Sequence, residues 1–245
     1  PVGAIDQMTA SLGVPGFALF MDMRSHANRL VRLPDADLLV ISSGIRHDHA
    51  AGDYRVRHAE CMAAARALGV SSLRDVELAD LSRIAALPEP LSRRARHIVT
   101  ENARVLAAVE ALERNDLAAV GRLFAESHDS QRDDFAVSIA AIDALVELAT
   151  AHPEVWGARL TGGGFGGSIV ALARRSTGPR VAAAIDDDYA RTTGHTGRIL
   201  LAGPVPNETS DPTYPSDPSD PNHPSDPSEP SHPRNTSDAS GGAHG

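Results

Sequence analysis

The feature that most constrains the fold is a glycine-rich segment late in the chain. Five glycines, Gly162, Gly163, Gly164, Gly166 and Gly167, fall within six positions, and the apolar residues 169–173 follow directly. Glycine has no Cβ atom, so the backbone can adopt positive φ angles and turn several N–H groups toward one point, which suits a phosphate. A tight turn before a strand is the alternative interpretation. The segment predicts a loop that leads into a strand and lets backbone come close to something.

The basic residues restrict the chemistry further. The chain contains no lysine, so all 23 of its basic residues are arginines. A Walker-type phosphate loop, a Schiff-base enzyme and a protein kinase with its strand lysine each need an ammonium group. The sequence excludes these three mechanisms. A bound phosphate would have to be held by backbone N–H groups, by arginine or by a metal ion.

The composition changes sharply near Pro204. Residues 206–245 repeat Ser, Asp and Pro, contain nine of the 17 prolines and carry seven acidic residues against one arginine. Such a segment has almost nothing apolar to bury, so we expect an acidic, disordered tail. The formal charge of −9 then leaves about −3 for the rest of the chain, which argues against a nucleic-acid surface.

Other features bear on location and completeness. Cys61 is the only cysteine, which excludes an intrachain disulfide and a cysteine-based metal cluster, and we expect it to be a core thiol. No apolar run is long enough to span a membrane and no signal peptide is visible, so we predict a cytoplasmic protein. Because the chain begins at Pro1 in the middle of a pattern, we expect it to be a piece of a longer protein.

The apolar periodicity predicts an α+β fold. Short apolar runs between turn residues indicate strands at residues 17–23, 38–42, 169–173 and 197–201. Apolar residues at three- and four-residue steps, with Gly69 and Asp116 as end signals, predict helices at residues 54–68, 94–114, 117–127, 139–149 and 179–191. A doubly wound parallel sheet would need a more regular alternation of strands and helices.

Four segments, in order along the chain, resemble the galactokinases of the GHMP small-molecule kinase superfamily. Residues 54–61, preceded by residues 44–47, are similar to the sugar-side Tyr-x-x-Arg-Arg-x-Glu-Cys region of that family. The other three are residues 3–8, 127–138 and 162–167. The resemblance runs from about Gly3 to Leu201 and corresponds to the C-terminal two-thirds of such an enzyme.

The resemblance implies that the γ-phosphoryl group of ATP is transferred, with Mg²⁺, to the C1 hydroxyl of D-galactose, a step of galactose metabolism in the Leloir pathway. Asp6 is the candidate catalytic residue, because a carboxylate near a sugar hydroxyl can orient it and accept its proton. A helix-capping role for Asp6 is the alternative. Gly3 and Tyr54 are the candidate substrate-binding residues, although Tyr54 would also suit an ordinary half-buried position. The five loop glycines would shape the nucleotide-phosphate site, and no residue is assigned to the metal.

The resemblance also predicts three domains. Residues 1–50 would be a remnant of the N-terminal kinase domain with the catalytic aspartate, residues 51–205 the GHMP C-terminal domain, and residues 206–245 the tail. The family's Gly-Glu-His-x-Asp-Tyr segment and its Gly-x-Gly-x-Ser-Ser-Ser phosphate loop are not among the 245 residues. We therefore expect this polypeptide alone to lack galactokinase activity. A non-catalytic sugar- and nucleotide-sensing relative and another GHMP small-molecule kinase remain alternatives.

Overall fold

The computed structural model describes residues 5–45 and 50–204, and the predicted tail lies outside these residues. Thirteen helices and strands follow each other along the described chain: α1 (Ile5–Leu12), β1 (Phe17–Met21), β2 (Asn28–Arg32), β3 (Ala36–Ser42), α2 (Ala50–Leu68), α3 (Leu81–Ala85), α4 (Leu91–Glu113), α5 (Leu117–Asp129), α6 (Ala140–Ala151), β4 (Val155–Thr161), β5 (Ser168–Arg174), α7 (Gly178–Thr193) and β6 (Arg198–Pro204). A π-helical turn, Ser130–Asp134, directly follows α5.

A four-stranded antiparallel sheet with the order β4-β5-β3-β6 carries the glycine-rich loop, which joins β4 to β5. The α+β class is therefore confirmed. The predicted strands at residues 38–42, 169–173 and 197–201 correspond to β3, β5 and β6. Two strands were missed, β4 and β2, and the second of these pairs with β1 in a separate two-stranded sheet.

Alternate residues of the four-stranded sheet enter two different apolar clusters, as the strand period of two requires. Leu39 and Ile41 of β3 pack with buried residues of α6 and α7. Leu38 of β3 and Leu172 of β5 pack instead with residues of α4 and α5. The sheet is thus covered by helices on both faces, and the glycine loop leaves it at one end.

The helix ends agree with the local signals in the sequence. Gly69 follows the last residue of α2 and has a φ angle of +73°, a conformation in which L side chains are strained. The Asp116 side chain accepts a hydrogen bond from the N–H of Ala119 at the start of α5. Both end signals are confirmed, and the five predicted helices correspond to α2, α4, α5, α6 and α7.

The domain division stays a prediction at residue 50 and at the start of the tail. The strand β3, which precedes residue 50, pairs on both sides with strands that follow it. Any division near residue 50 has to leave β3 with β5 and β6. In the described part of the chain, no helix is long and apolar enough to cross a membrane.

Candidate active site

The loop between β4 and β5 adopts a backbone that glycine allows. Four of its glycines have positive φ angles between +85° and +127°, namely Gly162, Gly164, Gly166 and Gly167. A Cβ atom added to Gly162, Gly163 or Gly167 would meet no atom of the described chain within 4 Å. One side of the loop is therefore open, and backbone there can approach a bound group without hindrance from side chains.

The opposite side of the loop is packed against the segment that follows the π-helical turn. A Cβ atom on Gly164 would lie 2.6 Å from the carbonyl oxygen of Val137. That same carbonyl accepts a hydrogen bond of 2.6 Å from the N–H of Phe165, and Phe165 itself has a φ angle of +61°. Ser43, just after β3, donates both its N–H and its hydroxyl to the carbonyl of Gly167. The chain thus fixes the loop at its middle and at its end.

Arg57 of α2 connects the loop to the sugar-side segment. Its guanidinium lies 5.8 Å from the ring centroid of Phe165, within reach of a cation–π interaction. It also donates hydrogen bonds to the carbonyls of Phe135 and Ala136. Tyr54 lies one helical turn before Arg57 and is 55% exposed, so its role in sugar binding stays a prediction. Through Arg57, the helix that carries Tyr54 therefore contacts the glycine loop.

Arg57 belongs to a network of charged groups that is largely shielded from water. Glu60 pairs with Arg57 and with Arg94 of α4, whose side chain is only 5% exposed. Burial works against the charge of Glu60, but the hydrogen bond and the charge of Arg94 prevail and lower its pKa. Arg94 also donates to the carbonyl of Asp134. This network holds α2, α4 and the π-helical turn together, and through Arg57 it contacts the loop.

His97 stands one turn further along α4. Its Nδ1 lies 2.9 Å from the hydroxyl of Ser130, and its ring stacks on Phe135 with the centroids 4.4 Å apart. Burial lowers the pKa of His97 to about 4, so the ring is neutral at physiological pH. Sequence reasoning missed Arg57, Glu60, Arg94 and His97. Only Arg57 and Glu60 carried a local signal, because they lie within the sugar-side motif.

Asp6 is placed elsewhere. It lies exposed on α1 and accepts no hydrogen bond from the described residues. Its neighbour Ile5 lines an apolar cavity of about 310 Å³ that is bounded by β1 and by the second half of α4. Neither Asp6 itself nor any loop glycine lines this cavity. A cleft shared by Asp6 and the loop stays a prediction. Gly3 lies outside the described residues, as do residues 46 and 47 of the sugar-side segment.

The described residues offer no ready-made metal site. Nowhere in residues 5–45 and 50–204 do three or more His, Cys, Asp or Glu side chains come together in a way that would hold a metal ion. Asp133 pairs with Arg132, and Asp134 with Arg96. Both carboxylates are therefore engaged by arginines. The residues present therefore do not form a protein cage for Mg²⁺, and we assign none of them to it.

Two further side chains, those of Arg159 and Cys61, have structural surroundings. Arg159, which precedes the loop, lies 3.3 Å from Glu101 and forms an ion pair with it. Cys61 is half-buried, and burial raises the pKa of its thiol to about 11, as expected for an unreactive core thiol.

A protein family, several relatives and a solved structure are similar to this chain. The family described as GHMP kinases C terminal matches residues 108–191. A galactokinase of Haemophilus influenzae is 43% identical over 198 residues, which cover 78% of this chain and 52% of that protein. A human galactokinase is 45% identical over 195 residues, covering 78% of this chain and 50% of its own length. The crystal structure of Lactococcus lactis galactokinase complexed with galactose has a TM-score of 0.77 at 27% identity and covers 84% of this chain and 55% of that one.

The fold and the glycine loop define a class: the chain belongs to the GHMP kinase superfamily. Within that superfamily it is a member of the galactokinase family, since relatives of that name are 43–45% identical to it. The chain spans about half the length of the curated relatives that it matches.

Proposed function

We propose that this chain supplies the phosphate loop and the sugar-side groups of a galactokinase, which transfers the γ-phosphoryl group of ATP to the C1 hydroxyl of D-galactose. The observation that supports the proposal best is the loop itself. Its outer side is free of side chains, its inner side is fixed by Val137 and Arg57, and Tyr54 is exposed one helical turn from Arg57. The relatives named galactokinase and the galactose-bound neighbour support the choice of substrates.

Phosphoryl transfer asks a protein mainly for positioning and for stabilisation of charge. In the described part of the chain, the N–H groups of Gly163, Gly164 and Gly166 have no hydrogen-bond acceptor, so they are available to phosphate oxygens. We propose that Asp6 orients the sugar hydroxyl and accepts its proton, that Gly3 lets the backbone approach the sugar, and that Tyr54 binds the sugar through its hydroxyl. When bound to the phosphates of ATP, Mg²⁺ would neutralise part of their charge.

The substitution Gly163→Ala tests the role of the loop. Gly163 does not have a positive φ angle, and a methyl group there meets nothing in the chain itself, so the fold should tolerate it. If a phosphate approaches this backbone, the same methyl group will collide with it. We expect binding of a non-hydrolysable ATP analogue, measured by calorimetry, to weaken about tenfold or more while the thermal unfolding temperature stays the same. Unchanged nucleotide affinity would remove the loop from the phosphate site.

The substitution Asp6→Asn tests the proposed base. In an active galactokinase that contains these residues, Asn can still orient a hydroxyl but cannot accept its proton. We expect turnover to fall at least about a hundredfold while galactose binding changes little. Turnover at the wild-type level would exclude Asp6 as the base. The matched control is Asp187→Asn, because Asp187 is exposed. Asp143→Asn is unsuitable as a control, because the Asp143 carboxylate pairs with His128.

Residues 1–245 alone are not expected to phosphorylate galactose, because the family's Gly-x-Gly-x-Ser-Ser-Ser loop is not among them. Galactose 1-phosphate formed by the purified polypeptide from galactose and ATP would overturn this expectation. A cytoplasmic location also stays a prediction.

A further inference from the structure

His128, near the end of α5, contacts two separate parts of the scaffold that carries the glycine loop. It is 3% exposed. Its Nδ1 accepts a hydrogen bond of 3.4 Å from the N–H of Leu160, two residues before the loop begins. The strand β4 lies at the edge of the sheet, with β5 as its only strand neighbour among the described residues. The Leu160 N–H therefore points away from β5, and His128 satisfies a donor that the sheet cannot.

The other ring nitrogen of His128 faces α6. Its Nε2 lies 3.3 Å from Oδ1 of Asp143, close enough for charge contact, although the two atoms are not aligned for a hydrogen bond. The same Asp143 oxygen accepts a hydrogen bond from the hydroxyl of Ser138. Ser138 directly follows Val137, whose carbonyl accepts the N–H of Phe165 in the middle of the loop. His128 is thus connected to the loop at its entry and, through Asp143 and Ser138, at its middle.

We propose that His128 is a positioning residue that fixes the glycine loop from these two sides, and that protonation of its ring at Nδ1 releases the loop. The neutral ring with its proton on Nε2 fits both contacts, because Nδ1 must accept from Leu160. A proton on Nδ1 would face the Leu160 N–H, donor against donor, and the hydrogen bond would be lost. This role of His128 rests on the proposed function in one respect, namely that the loop binds nucleotide phosphate.

Burial favours the neutral form of the ring and outweighs the net effect of the charged groups around it. Burial lowers the pKa of His128, and the charge of Arg132 acts in the same direction, while the carboxylates of Asp143 and Asp129 act against it. Asp143 faces the ring from α6, Asp129 and Arg132 belong to the end of α5 and the π-helical turn, and the Leu160 N–H contacts the ring from β4. Together with His128, these three charged residues and Glu147 of α6 line a cavity of about 400 Å³ that is open to solvent, so protons have access.

Amide hydrogen exchange, followed by NMR between pH 8 and pH 5 on the whole chain, tests the inference. After correction for the intrinsic rates, protection of the Leu160 and Phe165 amides should fall together by up to about tenfold per pH unit once the ring begins to take up a proton. The amides of β3 and β5 should lose less. If Leu160 and Phe165 lost no more protection than those central strands, the proposal would be overturned.

Two substitutions separate the two contacts. In His128→Asn the side-chain oxygen can replace Nδ1 but nothing reaches Asp143, so we expect Leu160 to stay protected and Phe165 to exchange about tenfold faster. In His128→Gln the amide nitrogen can replace Nε2, so the pattern should reverse. The exposed His195→Asn serves as the control and should change neither amide. Equal loss of protection throughout the sheet in both variants would reduce His128 to a general structural residue and contradict the proposal.

Binding of the ATP analogue at pH 8 and pH 6 separates this inference from the proposed function. If both hold, affinity should decrease at pH 6 in parallel with the protection of Phe165, and His128→Asn should bind weakly at both pH values. Loss of Phe165 protection without any nucleotide binding would support the positioning role and refute the proposed function. Binding that stays constant while Phe165 loses protection would contradict the link between them.

Discussion

The two ends of α4 lie in very different surroundings. At its beginning, Arg94 and His97 are buried among charged and polar partners from α2 and the π-helical turn. In its second half, Val105 and Leu106 are exposed beside an apolar groove along β1. At a rise of 1.5 Å per residue, Val105 lies about 12 Å beyond His97 along the helix, so the two settings do not overlap. The first end supports the glycine loop, and we infer that it contributes more to stability and rigidity than the second.

An ion pair at each end gives the largest expected contrast. Glu60→Gln leaves the buried Arg94 guanidinium without its partner, which should lower the free energy of unfolding by about 3 kcal/mol. Glu113, the last residue of α4, pairs with Arg29, but both side chains are about half exposed. Glu113→Gln should therefore cost less than about 1 kcal/mol. Urea unfolding measures the change in the free energy of unfolding for both variants. Equal changes would remove the contrast between the two ends.

Acid should weaken the first end selectively. The pKa of His97 is about 4 in the folded protein and about 6.5 in the unfolded chain, so the unfolded chain binds the proton more tightly. The stability that the neutral ring provides is complete above pH 6.5 and is lost as the pH falls toward 4, by about 3 kcal/mol in total. Urea unfolding at pH 7 and pH 5 should show a smaller loss in His97→Phe, which keeps the stacking on Phe135.

His128 should contribute a loss of the same sign, because its pKa is lowered too. The comparison of His97→Phe with the wild-type chain isolates the part due to His97. A pH dependence identical in the two proteins would contradict the burial of a neutral His97. The exposed His195→Gln is the matched control.

Packing of the loop against Val137 should produce a somewhat smaller effect. Gly164→Ala places a methyl group 2.6 Å from the Val137 carbonyl at a residue with a φ angle of +85°. We expect a loss of about 2 kcal/mol, from strain and from the collision together. Gly163→Ala, one residue earlier, has neither problem and should change the free energy of unfolding by less than about 0.5 kcal/mol. Equal losses would show that the loop is not fixed at Gly164.

The smallest effect is expected in the second half of α4. Leu106 is 56% exposed, so Leu106→Ser should change the free energy of unfolding by no more than about 0.5 kcal/mol. Val99→Ala, two turns earlier and buried, should cost about 2 kcal/mol. Thermal unfolding measured by circular dichroism compares the two. A large loss for Leu106→Ser would mean that this surface is covered in solution.

Local signals in the sequence predicted local structure well. Gly69, Asp116 and the loop glycines act through their own backbone or that of near neighbours, so the sequence alone could place them. The strand β4 was missed because Gly157 and Arg159 interrupt its apolar pattern. Gly157 is required there by tertiary packing, since a Cβ atom on it would lie 2.3 Å from the carbonyl oxygen of Gly121 in α5.

The supporting groups of the site could not be predicted for a related reason. Glu60 and Arg94 are 34 residues apart, and Arg57 and Phe135 are 78 residues apart, so no periodicity connects them. The resemblance to a family supplied Asp6, Tyr54 and the loop as candidates. It could not show that Arg57 joins α2 to the loop, which depends on the packing of α2 against the segment after the π-helical turn.

The central position of β3 has a consequence for synthesis of the chain. This strand is made before its two partners, β5 and β6, and Ser43 is 124 residues from the Gly167 carbonyl that it contacts. Contacts so distant in sequence slow folding. During translation, β3 therefore lacks both strand partners until β5 and β6 have left the ribosome. Protection by a chaperone in that interval would matter most for this short stretch.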